Sequence, residues 1–322
     1  VSLDEIPNLL ATGLQLASSG RPGPVHIALP QNLQADRVDE LVAITPQAVA
    51  PAGPDPQQTN AVADLLVKSS RPAILAGHGV IRAGASRALT QVAERLGAPV
   101  LTSRSGIGSI DTDHPASVGM LGFYGTPTAR EALAEADLVL IVGCAMGEQT
   151  TFGWRSNLIA DDATVIQVDV DASQINRIYP VDNGLVADAG AFLAALDTGA
   201  TVRDPWFGRR PERTGPQNDP ASGLSAASVM QSLNTHADSD TIFSADIGNH
   251  RLWVCEQLAV HRPDGLLQSC EFDAMGFSLP AAIGAAVAMP GTKAVAIAGD
   301  GGFVHTMGEL VVAHELGVPL VA

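Results

Sequence analysis

One device recurs along this chain and limits what it can fold into. A short run of small or β-branched residues leads into a glycine-rich turn and then into residues at helical spacing. The sharpest instance is Ala294-Val-Ala-Ile-Ala-Gly-Asp-Gly-Gly-Phe303. Its apolar run reads as a buried strand, Gly299 to Gly302 turn the chain, and Thr306 to Leu316 continue as a helix. Strands that feed helices pair in parallel, with helices covering both faces of the sheet. Glycines at such a turn let the backbone approach an anion, and a helix N-terminus presents unpaired N–H groups to it. Asp300 is the odd residue, because a carboxylate repels a phosphate unless a hard divalent cation lies between them. The bland alternative is an Asp that caps the following helix in a Gly-rich turn.

The same alternation runs from about Gln57 to Leu196. Helices are expected over Thr59–Ser69, Ala85–Leu96 and Ala129–Glu135, and strands over Pro72–Ala76, Pro99–Thr102, Leu138–Val142 and Thr164–Val170. The fold class is therefore α/β, with two doubly wound parallel-sheet domains and the tail end of a third α/β domain at the N-terminus. That tail is a helix over Ile6–Ser19, a rigid turn at Arg21-Pro-Gly-Pro24 and a strand over Val25–Leu29. The divisions expected are 1–44, 45–200, a linker over 201–224, and 225–322, with Pro-rich stretches at Thr45–Pro56 and Thr201–Pro220 as boundaries. In the last part, Ala226–Leu233 reads as a helix, Thr241–Ala245 as a strand, and Ala281–Ala288 as a small-residue helix. Glycines follow the strands at 77, 79, 106, 108 and 143, but Arg82 stands where G-x-G-x-x-G needs its third glycine. The chain opens in a helical pattern without Met and stops at Val318–Ala322, which reads as the start of a strand, so a piece of a longer protein is expected.

Composition narrows the function. A net charge of −16 argues against nucleic acid or an anionic membrane as partner, but not against phosphate held by backbone and metal. The apolar run Leu279–Met289 is too short to span a bilayer. Cys144, Cys255 and Cys270 have neither zinc spacing nor a disulfide framework, which points to a reducing, cytoplasmic setting.

Several separated strings together resemble the thiamine-diphosphate-dependent enzymes. Arg21-Pro-Gly-Pro-Val-His-Ile-Ala-Leu-Pro30 is similar to the end of their pyrimidine-binding domain, which assigns 1–44. Gly119-Met-Leu-Gly-Phe-Tyr-Gly125 and Val168-Asp-Val-Asp171 resemble their central domain. Met275-Gly-Phe-Ser-Leu-Pro-Ala-Ala-Ile-Gly284 and Gly299-Asp-Gly-Gly302 resemble their diphosphate-binding domain. Order and spacing look like the acetohydroxyacid (acetolactate) synthase branch.

The resemblance implies thiamine diphosphate and Mg²⁺, with Asp300 as metal ligand and Gly299, Gly301 and Gly302 turning at the diphosphate. Gly248, Asn249 and His250 match a segment that reaches the diphosphate, and Met275 matches the apolar wedge that bends the cofactor. Asp273 and Ala274 complete the seat; Asp273 stands where the family has Gly, through whose carbonyl the aminopyrimidine is held. An Asp there keeps the main-chain contact while setting a carboxylate beside the pocket, where it alters substrate choice. A second metal ligand and the carboxylate that protonates the cofactor are expected outside this chain. The piece by itself is therefore expected to be inactive. The implied reaction is decarboxylation of a pyruvate-like 2-oxo acid and condensation with a second one, in a homodimer or homotetramer. The alternatives are a 2-oxo acid decarboxylase, a cofactor-binding homologue without catalysis and, remotely, a metal hydrolase using Asp246 and Asp300. FAD is implied for the central domain by Gly77–Gly79, Thr102–Gly108 and Gly119–Gly125. Against it, Gly143-Cys-Ala-Met-Gly-Glu-Gln149 carries Ala145 in place of the family's arginine, and an empty or ADP-binding domain is the alternative.

Overall fold

Two parallel sheets organise the chain. The computed structural model describes residues 2–37, 43–44, 49–50, 53–199, 201–212, 223–270 and 272–322. Helices α1 (Ile6–Ser18) and α2 (Gln31–Gln34) come first. The first sheet region follows with α3 (Pro56–Lys68), β1 (Pro72–Ala76), α4 (His78–Arg82), α5 (Ser86–Leu96), β2 (Val100–Thr102) and β3 (Ser117–Met120). It continues with α6 (Pro127–Glu135), β4 (Leu138–Val142), β5 (Thr164–Asp169), β6 (Asn183–Val186) and α7 (Ala189–Ala195). The second region holds α8 (Ala226–His236), β7 (Ile242–Ala245), α9 (His250–Gln257), β8 (Leu266–Gln268) and α10 (Ser278–Ala288). It closes with β9 (Ala294–Ile297), α11 (Asp300–Thr306), α12 (Leu310–Leu316) and β10 (Leu320–Val321).

The strand orders are β3-β2-β1-β4-β5-β6 and β10-β9-β7-β8, and every pairing is parallel. In the first sheet, alternate residues of one strand enter opposite cores. Leu138, Leu140 and Val142 pack with Leu66, Leu89 and Phe192 on one face. Val139 and Ile141 pack with Ala132 and Leu133 on the other. That is why these strands read as unbroken apolar runs rather than as alternation. Asp55 caps α3 by accepting from the backbone N–H of Gln57 and Gln58, and Pro56 takes the first helical position, where no donor is needed.

Several expectations need correction. Val25–Leu29 forms no strand among the described residues; Val25 and Ile27 instead pack on α1 at Gly13. An isolated segment has no neighbour to satisfy its ladder. The stretch expected to be a linker is a strap through residue 212: Trp206 Nε1 donates to the Pro72 carbonyl at 2.8 Å, Phe207 is buried, and Arg209 pairs with Glu131 and Glu135. The part of that linker at 213–222 lies outside the described residues, as do 45–48 and 51–52 of the first Pro-rich stretch. Strands β3, β6 and β8 and helices α4, α7 and α9 are additional to the expected elements. They are short, and periodicity needs longer windows to register.

The two regions share a seam. Ile107 and Met120 enter the core formed by Phe243, Val254 and Leu258. Across it, the Thr112 N–H donates to the Val260 carbonyl at 3.1 Å, and the Val260 N–H donates to Thr112 Oγ1 at 2.8 Å.

Candidate functional site

In the second sheet, β7 connects outward to β8 while β9 connects outward to β10 on the opposite side. The gap between the carboxyl ends of β7 and β9 is the switch point of an open α/β sheet, where ligands bind. The residues singled out from sequence in the 246–250 and 299–302 turns lie there. Ala245 is in register with Ile297, and the Asp246 N–H donates to the Ile297 carbonyl at 2.9 Å.

Asp246, which the sequence offered only as one carboxylate of a remote hydrolase alternative, is the hub. It is fully buried, and its carboxylate accepts from the backbone N–H groups of Ile247 (3.1 Å), Gly276 (2.8 Å) and Phe277 (3.2 Å). Those bonds draw the 273–277 loop onto the switch point. A Cβ on Gly302 would lie 2.0 Å from Asp246 Oδ2, so only glycine fits there. The carboxylate is thus spent on backbone, which removes it from the hydrolase pair with Asp300.

Asp300 opens α11 as its first helical residue, with Gly299 as the cap position and no side-chain capping bond. The capping alternative and the expected helix start at Thr306 are both corrected: the helix begins at the Gly-Asp-Gly itself, and a 3₁₀ turn at Met307–Glu309 separates it from α12. The Asp300 side chain is exposed and accepts no hydrogen bond among the described residues. Met275 is 52% exposed, which rules out an ordinary core methionine, and its methyl lies 3.0 Å from where a Gly301 Cβ would stand. Gly248, Asn249 and Ala274 are exposed on the same ledge, whereas Gly299 and Gly301 are half-buried.

His250 is half-buried with its ring against Gly248 and Gly299. Its Nε2 is buried without a partner among the described residues, as are Arg251 Nη2, Ser278 Oγ and Thr306 Oγ1 of the same region. A buried polar atom left unpaired calls for a partner such as a water, an ion or a polar ligand. Burial holds the His250 imidazole below its ordinary pKa, partly opposed by the Asp246 charge, so the neutral ring is favoured.

Asp273, on the same loop as Ala274 and Met275, carries its charge into an ion-paired cluster. Its carboxylate is taken up by Arg251 Nη1 and by Arg104 Nη2 at 3.2 Å, so it is neutralised at the seam between the two regions. Arg104 and Arg251 are the residues that sequence reasoning missed, and Asp246 was read as a hydrolase carboxylate rather than as the hub. A charged residue directly after a buried strand was the available signal for Asp246.

At the switch point of the first sheet, between β1 and β4, the glycine turns meet each other. The Gly77 N–H donates to the Val142 carbonyl at 2.9 Å and the Gly79 N–H to the Gly143 carbonyl at 3.0 Å. A Cβ on Gly77 would lie 2.1 Å from the Gly143 carbonyl oxygen. These glycines are consumed by backbone contact.

Comparison with known proteins agrees with this division. A family model described as the thiamine pyrophosphate enzyme central domain matches residues 59–196, and one described as the C-terminal TPP binding domain of these enzymes matches residues 246–322. The chain belongs to the thiamine pyrophosphate enzymes. It is 33% identical to a probable acetolactate synthase large subunit of Methanocaldococcus jannaschii, over 99% of this chain and 57% of that relative. It is 31% identical to the acetolactate synthase isozyme 2 large subunit of Escherichia coli, over 99% of this chain and 58% of that one. The chain thus spans somewhat more than half the length of these relatives. A putative thiamin diphosphate-dependent enzyme from Mycobacterium smegmatis shares the fold, with a TM-score of 0.83 at 23% identity over 99% of this chain and 62% of that one. The exposed ledge and its unpaired polar atoms therefore belong to the TPP-binding domain of a thiamine pyrophosphate enzyme. No helix among the described residues is long and apolar enough to cross a membrane.

Proposed function

We propose that this thiamine pyrophosphate enzyme condenses 2-oxo acids after decarboxylating the first of them, in the manner of an acetolactate synthase, with pyruvate or a similar acid as donor. The observation that carries the reading is the β9–α11 turn. It leaves the Asp300 carboxylate exposed and uncapped at a switch point, with the exposed Met275 seated against Gly301. The similarity to relatives named as acetolactate synthases supports the branch.

Asp300 would hold a Mg²⁺, and the backbone N–H groups of Gly301 and Gly302 would take the diphosphate, whose charge the metal offsets. Gly248, Asn249 and the neutral His250 line the same anion from β7. Met275 gives the apolar ledge for the cofactor's rings, while Asp273 and Ala274 offer main-chain groups to the pyrimidine. When bound, thiamine diphosphate supplies the electron sink for loss of CO₂. The residues of this chain bind, orient and neutralise, and Asp246 keeps the loop and α11 in place.

The proposal extends to a homodimer or homotetramer in a cytoplasmic setting. Val304 of α11, Met307 of the following 3₁₀ turn and Val311 of α12 are 62%, 52% and 60% exposed, apolar surface suited to a second copy. Residues 1–322 alone are proposed to be inactive, because the pyrimidine half of the seat comes from another domain. In the central domain, the mutual contact of Gly77, Gly79 and Gly143 and the Ala145 that stands in place of an arginine weigh against FAD and for an empty or ADP-binding domain. Visible flavin absorbance in the purified protein would reverse that.

The deciding experiment uses the longest product of the gene. Thiamine diphosphate is titrated with Mg²⁺ by calorimetry in wild type and Asp300→Ala, with pyruvate consumption and acetolactate formation followed in parallel. Mg²⁺-dependent binding lost in Asp300→Ala, together with acetolactate, supports the proposal. CO₂ release without acetolactate moves the function to a 2-oxo acid decarboxylase. Binding without turnover makes it a non-catalytic homologue, and no binding sinks the cofactor site.

A further inference from the structure

The loop that carries Met275 begins at a strained residue. Asp273 has φ +51, in the left-handed region that side chains disfavour. Such a conformation persists only where the surroundings over-determine it. Here the surroundings are charged. Asp273 Oδ1 pairs with Arg251 Nη1 and lies 3.2 Å from Arg104 Nη2, and Gln149 Nε2 donates to Oδ2 at 3.5 Å. Arg104 and Arg251 are only 7% and 2% exposed.

These partners come from different parts of the molecule. Arg104 follows β2 and Gln149 follows β4, so both belong to the central domain. Arg104 also donates to Gln149 Oε1 at 2.8 Å and to the Cys270 carbonyl, on the stretch leading to the loop. Arg251 lies in α9 and donates from Nε to the Asp246 carbonyl at 3.1 Å. Two buried guanidiniums without a carboxylate between them would carry an uncompensated desolvation cost, so the arginines need Asp273 as much as Asp273 needs them.

We propose that Arg104, Asp273 and Arg251 form an electrostatic latch through which the central domain holds the 273–276 loop in its cofactor-receiving conformation. Asp273 is then a positioning residue: its charge fixes the backbone that bears Met275 and does not select the substrate. The inference rests on the proposed function in so far as that loop is part of the cofactor seat.

The test measures two things in the longest gene product. Hydrogen exchange at amides 273–277 is followed without cofactor, and thiamine diphosphate with Mg²⁺ is titrated by calorimetry. The variants are Arg104→Met, Arg104→Lys, Asp273→Asn, Asp273→Gly and the double Arg104→Met/Asp273→Asn. Arg104→Met and Asp273→Asn are each expected to speed loop exchange and to weaken binding about tenfold. The double should add little, because both changes open one latch. Arg104→Lys should recover only part, since an ammonium keeps the charge but not the fork that reaches Gln149 and Asp273 together. Asp273→Gly relieves the left-handed strain but leaves both guanidiniums without their carboxylate, so its loop should still exchange faster. Wild-type loop exchange in Asp273→Gly, or full additivity in the double, overturns the latch. A wild type that binds no thiamine diphosphate would sink the functional reading, while the cofactor-free exchange would still judge the latch.

Discussion

The two switch points of this molecule are built from the same sequence device and do opposite things. Between β1 and β4, Gly77, Gly79 and Gly143 are packed backbone to backbone, and a Cβ on Gly79 would meet the Gly143 Cα at 2.7 Å. Between β7 and β9, the facing turns are held apart by a side chain. Asp246 occupies the gap, takes three backbone N–H groups, and leaves Asp300 and Met275 facing outward. Glycine after a strand marks a close approach. Whether the approaching partner is a ligand or the protein's own backbone depends on what the opposite turn supplies.

That comparison can be broken at its strongest point first. Asp300→Ala should lower Mg²⁺-dependent thiamine diphosphate affinity by ~100-fold, with little change in melting temperature, because an exposed and unbonded carboxylate adds little to stability. Loss of stability without loss of affinity would make the second switch point as structural as the first.

Glycine substitutions sharpen it next. Gly77→Ala forces a Cβ into the Gly143 carbonyl and the Cys144 backbone and should cost about 3 kcal/mol in denaturant unfolding. Gly301→Ala meets only the mobile end of Met275, so the gain in helix propensity should leave stability level or up to about 1 kcal/mol higher while cofactor affinity falls. Equal destabilisation by both would erase the difference between the two regions.

A smaller effect separates the regions by pH. Burial lowers the folded-state pKa of His250, so below the ordinary histidine pKa the unfolded chain takes up a proton that the folded chain refuses. This contribution to stability is complete above that pKa and is lost as pH falls through it towards the folded value. His250→Gln should flatten that part of the stability profile, and a profile unchanged by the substitution would remove the neutral ring from the account. The smallest effect concerns thiols. Cys144 is pushed up to about 11 and Cys255 to about 12, both by burial, so neither should be alkylated in the native protein at neutral pH.

Much of this was legible in the order of residues. Pro72–Ala76 and Leu138–Val142 are runs of the length and composition of doubly covered strands, and the structure places them as read. Gly299 to Gly302 announced a turn between strand and helix because glycine tolerates close approach whatever surrounds it. Short elements such as α4 and β8 were not legible, since their stability comes from packing rather than from their own periodicity. The family resemblance implied that Asp273 stands in place of a glycine, with its carboxylate beside the pocket.

Only the tertiary structure could place that charge. Arg104 is 169 residues from Asp273 in the chain, and local pattern says nothing about which distant side chains a loop will meet. The same holds for Asp246, whose three backbone donors come from its own turn and from a loop about thirty residues further on. Local sequence determined where the chain turns and which faces are apolar, because dihedral preference and hydrophobic period act over a few residues. Which turn stays open for a ligand was decided by long-range hydrogen bonds and ion pairs, which exist only once the sheets have assembled.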